Sequence, residues 1–520
     1  MNVLWAGTDD GHIQVTMDGG VKWTNVTPPE IKPWTRIFNI EAGHFDALTA
    51  YAAANTMRID DMNPHFWRTH DGGKTWTEIN TGIAPGNVAN SIREDPRKRG
   101  LLYAATDAQV WVSFDDGDHW RSLRNDMPAI SVRDIKVKDD STCLCSDLVA
   151  GTHGRGFWIL DNVTPLRQEA EATAAADAGN GYLFKPATAV RVRFGTNDPT
   201  PWPPELPAGE NPMPGAIIDY VLPRNASGTV KLEILDNAGK VVKRYASTDP
   251  TLDPPPGLDP EAYNKICQRQ PSATDCALPL YWFAPPMRLS ARPGFHRFSW
   301  DMRFEAIGDE NDPVGGDESA TGAVPHRTYP NAFAPWAPPG QYTVRLTAGG
   351  KTYTQPITVR LDPRVKTPAP ALAQLAALSR EMYDGAWAAH AAYEQARALS
   401  AQLEKTSGDD VAAFKRQVDS LAPPQAAGGR GGRGGGRGRG GGGPATPTLD
   451  AASTTMMSAA MSMQGADVAP TAGQVAGVTR ARAEGADVMR RWNSLKTSGL
   501  AALNAKRKAA GQPAITLPPQ

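Results

Sequence analysis

The chain has 520 residues, room for about three domains of ordinary size. Lys and Arg number 54 against 55 Asp and Glu, so the net charge of -1 gives no overall pull toward nucleic acid or an anionic membrane. Hydrophobic residues are 40%, enough for packed cores, 50 Gly and 45 Pro point to many turns, and no apolar run approaches the ~18 residues of a membrane span.

The N-terminal stretch "MNVLWAGTDDGHIQV" has no basic region followed by an apolar one, so no secretory signal is expected in the chain as it stands. A motif then recurs: "LWAGT" (Leu4 to Thr8), "AYAAA" (Ala50 to Ala54), "LYAAT" (Leu102 to Thr106) and "LVAGT" (Leu148 to Thr152). Their starts lie 46, 52 and 46 residues apart, a period the size of one propeller blade. A second motif follows in phase: "TMDGGVKW" (Thr16 to Trp23), "THDGGKTW" (Thr69 to Trp76) and "SFDDGDHW" (Ser113 to Trp120).

One repeat reads as four short strands, "ANSIRED", "LLYAAT", "QVWVSF" and "HWRSL", each rich in β-branched or aromatic residues and bounded by Asp, Gly or Pro. The second motif therefore falls on the hairpin between third and fourth strands. Gly20, Gly73 and Gly117 accept positive φ there, Asp18, Asp71 and Asp115 can bond the amides that follow, and Thr16, Thr69 and Ser113 can add a local hydrogen bond. Trp23, Trp76 and Trp120 are expected to return on the fourth strand and bury their rings against the blade. The repeated carboxylates are accordingly read as turn residues at the rim, not as a converging catalytic set.

The pattern Ser/Thr-x-Asp-x-Gly-x-x-Trp resembles the Asp-box, or BNR repeat, of sialidases, sortilin-type propellers and xyloglucanase-like glycosidases. The resemblance implies a β-propeller and leaves the activity open. The first repeat begins at its second strand. The last has "ISVRDIKV", "DLVAGT" and "GFWILD", but Asp161 is followed by Asn162 and Val163 with no Trp. Strands thus count three, four, four and three. The two ends do not complement each other in a four-blade ring, so N-terminal blades are expected to be missing.

Residues 166–181, "LRQEAEATAAADAGNG", read as a linker. Six or seven short strands with turn signals over 182–364, interrupted by Pro-rich insertions, suggest an immunoglobulin-like sandwich. Trp300-Asp301 and Pro339-Gly340-Gln341-Tyr342 resemble the sandwich of flagellar-hook-capping proteins, also found beside bacterial glycosidase-like propellers. Trp300 is read as a core aromatic rather than a sugar platform. Helical periodicity runs through 365–425 and 449–520, with Met456, Met457, Met461 and Met463 as core filler. Between them, 426–448 is a Gly/Arg-rich linker. Its arginines invite an RNA reading, but no aromatic is interleaved for stacking, so no nucleic-acid partner is expected.

The fold expected is therefore multidomain and mainly β. It comprises a partial β-propeller of about four blades with the first and last incomplete (1–165), an immunoglobulin-like β-sandwich and a C-terminal helical bundle. Of the four cysteines, Cys143 and Cys145 are too far apart on a strand to bond without distortion, while Cys267 and Cys276 could close a small loop disulfide. No metal site and no cofactor are expected.

Candidate ligand residues lie on loops between second and third strands. "GTHGRGFW" offers His153 and Arg155, "NTMRIDDMNPHFW" offers His65 with Asp60 and Asp61, and "TDDGH" offers Asp9 and Asp10. Two functions follow. One is an exported, sortilin-like scaffold that binds a peptide or glycan, periplasmic or extracellular by the resemblance. The other is a xyloglucanase-like glycoside hydrolase, for which Asp9, Asp10, Asp60 and Asp61 are the catalytic candidates.

Overall fold

Alternating apolar residues set the first half of the chain into short antiparallel strands. The computed structural model describes residues 2–141, 145–193, 215–249, 289–309, 312–314, 334–424 and 447–519. Four meander sheets follow in chain order. Sheet 1 holds β1 (Leu4–Gly7), β2 (Ile13–Thr16) and β3 (Thr24–Asn25). Sheet 2 holds β4 (Arg36–Ala42), β5 (Ala50–Asn55), β6 (Phe66–Thr69) and β7 (Thr77–Glu78). Sheet 3 holds β8 (Ala89–Glu94), β9 (Leu102–Thr106), β10 (Val110–Ser113) and β11 (Arg121–Ser122). Sheet 4 holds β12 (Val132–Asp140), β13 (Cys145–Thr152) and β14 (Phe157–Leu160).

Each sheet buries a face against the next. Ile13 meets Ile37, Ala52 and Trp67. Tyr51 and Phe66 meet Ile92, Ala104 and Trp111. Tyr103, Val110 and Val112 meet Ile135, Leu148 and Ala150, with Trp158 at the margin. A bulge interrupts the first strand at one equivalent place in three sheets, between Ile37 and Asn39, Ala89 and Ser91, and Val132 and Asp134. The freed groups then reach across: the Ile92 amide donates to Asn39 Oδ1 (2.8 Å) and Ser91 Oγ to Asp134 Oδ1 (2.7 Å).

The three tryptophans behave unequally. Each sits one residue ahead of its fourth strand, not on it. Trp76 Nε1 donates to the Val26 carbonyl of sheet 1 (2.8 Å), and Trp120 Nε1 to the Ile79 carbonyl of sheet 2 (2.7 Å). Both indoles therefore pack on the preceding sheet. Trp23 has no preceding sheet in this chain and is 42% exposed, contrary to the expectation of burial.

The stretch 166–181, expected as a linker, carries a 3-10 turn (Thr164–Gln168) and α1 (Glu169–Asp177). Pro165 starts the turn, and Arg167 ties it down: Nε reaches both oxygens of buried Asp95 (3.0 and 3.1 Å) and Nη2 reaches Ser146 Oγ (2.7 Å). Cys145 is disulfide-bonded; the other three cysteines lie outside the described residues.

Beyond the meanders come β15 (Tyr182–Leu183), β16 (Ala189–Arg191), β17 (Ala216–Leu222), β18 (Lys231–Leu235), β19 (Val241–Ala246) and β20 (Gly294–Trp300). They are followed by the short pair β21 (Gly308–Asp309) and β22 (Asp312–Pro313), then β23 (Gly340–Ala348) and β24 (Lys351–Leu361). One sheet has the order β15-β17-β20 and another β16-β24-β23-β18-β19. The chain divides into two compact units, the first holding 1–189, 217–226 and 292–297. In the second, Trp300 is fully buried, donates Nε1 to the Arg303 carbonyl (3.0 Å) and meets Tyr342 edge-on at 5.3 Å.

Helices complete the second unit: α2 (Ala369–Glu404), α3 (Asp409–Leu421), α4 (Leu449–Ser462), α5 (Ala472–Ser494) and α6 (Leu500–Ala509). Thr471 and Gln474 form a capping box at the start of α5. Met456, Met457, Met461 and Met463 are all buried. Met456 lies where side chains on Gly385 and Gly485 would collide with it, so those glycines let three helices close around one thioether. The Gly/Arg tract and the Cys267–Cys276 loop lie outside the described residues.

Candidate functional site

The outer hairpins share one hydrogen-bond scheme. Thr16, Thr69 and Ser113 each donate a hydroxyl to the Asp two residues on, at 2.7, 2.9 and 2.8 Å. The same hydroxyls accept from the amides of Gly20, Gly73 and Gly117 (3.0, 3.0 and 2.8 Å). Asp18, Asp71 and Asp115 accept in turn from the amides of Lys22, Thr75 and His119, each at 2.9 Å. These donors favour the charged carboxylate. The Lys22 amide and Thr16 hold Asp18 low, and the Thr75 amide and hydroxyl bring Asp71 down to about 2. Burial pushes Asp115 up, but the His119 amide and ring and the Ser113 hydroxyl outweigh it.

The loops between second and third strands are built differently. After β1, Thr8 donates to Asp10 Oδ1 (2.5 Å), which holds Asp10 below the usual carboxylate range. Asp9 reaches outward instead and takes Arg36 Nε at 3.0 Å and Arg58 Nη1 at 2.8 Å. Arg36 starts β4 and Arg58 lies in a 3-10 turn after β5, so two segments of sheet 2 converge on one carboxylate beside sheet 1. Asp60 follows that turn in the left-handed region (φ 60°). Asp61 accepts from the Asn63 amide (3.1 Å), the main reason it is held low. His65 lies between Glu78 (2.6 Å from Nδ1) and Asp61 (3.1 Å from Nε2), and Glu78 above all raises its pKa.

After β13 the loop is bare. The His153 amide donates to the Ser131 carbonyl (2.9 Å), and Gly154 and Gly156 take φ of 99° and 65°. The side chains of His153 and Arg155 are exposed, and neither makes a hydrogen bond or ion pair among the described residues. Asp9 and Arg58 are brought together, as are Asp61 and His65. Among the described residues no contact joins His153 or Arg155 to the four candidate carboxylates.

Two groupings escaped the sequence. Arg93 on β8 donates to the Ile135 carbonyl (2.8 Å), Glu41 (2.9 Å) and Asp134 (2.9 Å), spanning the first strands of three sheets. The signal was present as polar residues two apart, Asn39 and Glu41, Ser91 and Arg93, and Asp134 and Lys136, on one face of each first strand. The second grouping lines a cavity of about 150 Å³ between sheets 2 and 3. There Asp116 takes Tyr51 Oη (2.6 Å) and pairs with His70 Nε2 (2.8 Å), whose Nδ1 meets Thr49 Oγ1 (3.0 Å). Glu94, raised by burial, accepts from the His44 amide (2.6 Å). These partners are contributed by different repeats, which is why no local pattern announces them.

In comparison with known families, residues 11–156 fit the Sortilin-Vps10 model, described as sortilin, neurotensin receptor 3. The four meander sheets are thus a β-propeller segment of sortilin-like type. No curated protein sequence matches. Among solved structures, YCF48 bound to D1 peptide is 18% identical, over 31% of this chain and 48% of that one, at a TM-score of 0.24. The GH74 xyloglucanase from Xanthomonas campestris is 16% identical, over 31% and 26%, at 0.25. An ancestral GH74 enzyme is 15% identical, over 47% and 31%, at 0.23. The chain spans about half the length, or less, of these proteins, and at such TM-scores they are likenesses only.

Proposed function

We propose that this chain is part of an exported β-propeller scaffold of sortilin-like type whose ligand is a peptide bearing a carboxylate. The loops joining second to third strands take it. The observation that carries the reading is the bare pair His153 and Arg155, displayed on a glycine-hinged loop while the neighbouring loop charges are engaged. A guanidinium with its donors unspent matches a carboxylate in two-pronged geometry.

A glycan is the other ligand class, with xyloglucanase-like hydrolysis as the other activity. Hydrolysis needs two carboxyls across a cleft, one of them keeping its proton. Asp10 and Asp61 are held low by hydrogen bonds, and Asp9 lies between two guanidiniums. These features weigh against an acid role and favour binding. The Cys145 disulfide supports an oxidising location, periplasmic or extracellular. Within the second unit, one feature of the five-stranded sheet supports an immunoglobulin-like reading. Tyr342 Oη donates to the Pro338 carbonyl (2.6 Å), much as the tyrosine corner of such folds does.

The test is calorimetric titration of the full chain with acidic and amidated peptides and with xyloglucan oligosaccharides. Acidic peptides are expected to bind, and Arg155→Ala to weaken them about tenfold or more, the ~1.5–3 kcal/mol of a charged hydrogen bond. Binding or cleavage of glycans alone, or an Arg155→Ala variant that binds as the parent does, would overturn it.

A further inference from the structure

In the second compact unit, three arginines gather round one indole. The backbone sets two of the parts side by side. Arg303 and Trp336 form an antiparallel bridge, flanked by the Phe304 amide on the Pro335 carbonyl (3.0 Å) and the Ala337 amide on the Met302 carbonyl (2.8 Å). Residues opposed in this way share a face, and the Arg303 guanidinium lies 4.1 Å from the centre of the Trp336 ring. Arg191, at the end of β16, and Arg193, two residues on, approach the same ring at 5.5 and 5.9 Å.

Charge does not balance there. Asp467, 6% exposed, takes Arg191 Nη2 at 2.5 Å and Arg193 Nε at 2.8 Å. Arg193 is then fully engaged, with Nη2 on Asp467 (3.0 Å) and Nη1 on the Gln464 carbonyl. Arg303 has no ion pair among the described residues; its Nη1 donates to the Ala334 carbonyl (2.9 Å). Asp301 takes the Arg303 amide (3.0 Å) and meets Lys243 Nζ (3.7 Å), so its charge is already shared. Burial brings the Arg303 pKa down to about 10, with Arg193 and Arg191 adding to the fall and Asp301 opposing it. Three guanidiniums thus stand against one carboxylate, and half-buried charge without a counter-charge is costly.

Donors are left over as well. Arg303 Nε and Nη2, the side-on fork of the guanidinium, make no hydrogen bond among the described residues, and neither does Trp336 Nε1. Arg191 Nε is buried without a partner. We propose that Arg303 and Trp336 form a binding site for a doubly charged tetrahedral oxyanion of the sulfate or phosphate type. Stacking on the indole fixes the fork, two oxygens of the anion match it, and the indole N–H serves a third. The two surplus cations select a double charge over a single one. The site lies outside the propeller segment and holds whichever ligand the loops take.

The experiment is equilibrium dialysis of the full chain against radiolabelled sulfate, in chloride at fixed ionic strength. Inorganic phosphate, phenyl phosphate and acetate serve as competitors. One saturable site per chain is expected, emptied by a phosphate well before acetate. Competition by inorganic phosphate marks a site for the free anion, and by phenyl phosphate alone a site for an ester. Arg303→Lys keeps the charge but loses the fork and is expected to weaken sulfate about tenfold or more. Trp336→Phe keeps a ring beneath the guanidinium without the N–H and is expected to weaken it several-fold. Arg480→Gln, at an exposed position of α5, leaves it unchanged. No saturable site, displacement by acetate as readily as by phosphate, an equal loss in Arg480→Gln, or Arg303→Lys or Trp336→Phe variants that bind as the parent does would each overturn the proposal.

Discussion

Asp71 is set in a turn with the amide and hydroxyl of Thr75 and the hydroxyl of Thr69, and nothing in that arrangement needs a ligand. Its pKa is brought down to about 2. The stability it lends is therefore complete above the ordinary ~3.9 and is lost as pH falls from there toward 2. Asp71→Asn is expected to lower the urea midpoint at pH 7 and to flatten the loss between pH 4 and 2. An unaltered acid profile would contradict this. His65 has the opposite sign. Glu78 and Asp61 raise it, so its contribution is full below ~6.5 and disappears as pH rises through the higher folded value. Glu78→Gln is expected to reduce the fall in melting temperature between pH 6.5 and 8.5.

At the scale of elements, the indoles decide how sheets hold together. Trp120 is buried and bonded to Ile79 of the preceding sheet, so Trp120→Ala should cost ~3–5 kcal/mol in urea unfolding. Trp23, 42% exposed in the same motif, should cost within ~0.5 kcal/mol. Equal losses would show that the ring acts within its own hairpin. Gly82 guards the same joint: at φ 99° a Cβ there would lie 2.4 Å from the Trp120 carbonyl oxygen. Gly82→Ala should therefore destabilise by more than the ~1 kcal/mol of an ordinary glycine replacement. The strands themselves were legible, because alternation, β-branched residues and turn glycines are local. "LLYAAT" and "QVWVSF" contain β9 and β10 almost residue for residue. The short helix α1 was not, since its Ala-rich sequence is held by Arg167 reaching Asp95, seventy-two positions earlier. The same holds for the loops. Asp9 and His65 stood out as residue types, but Arg36, Arg58 and Glu78, which fix what those residues can do, come from other strands.

For the whole molecule, the change from period-two to helical patterning after Pro368 was readable, and the chain does turn helical at Ala369. Which surfaces stay open was not, because exposure of Phe157 depends on what lies opposite it rather than on its neighbours in sequence. Within the propeller segment each sheet has its core only with the one before and the one after. Such an array behaves as a row of coupled links more than as one block. The first two of the three links include a tryptophan reaching backward, at Trp76 and Trp120. Drawn out by its N-terminus in an optical trap, the chain is expected to yield in discrete steps. The first sheet leaves early, since its own indole grips nothing behind it, and each later rupture frees about one repeat of contour length. Replacing Trp76 with alanine would lower the force of the first event and leave the later ones in place, a record of how the wheel was fastened together.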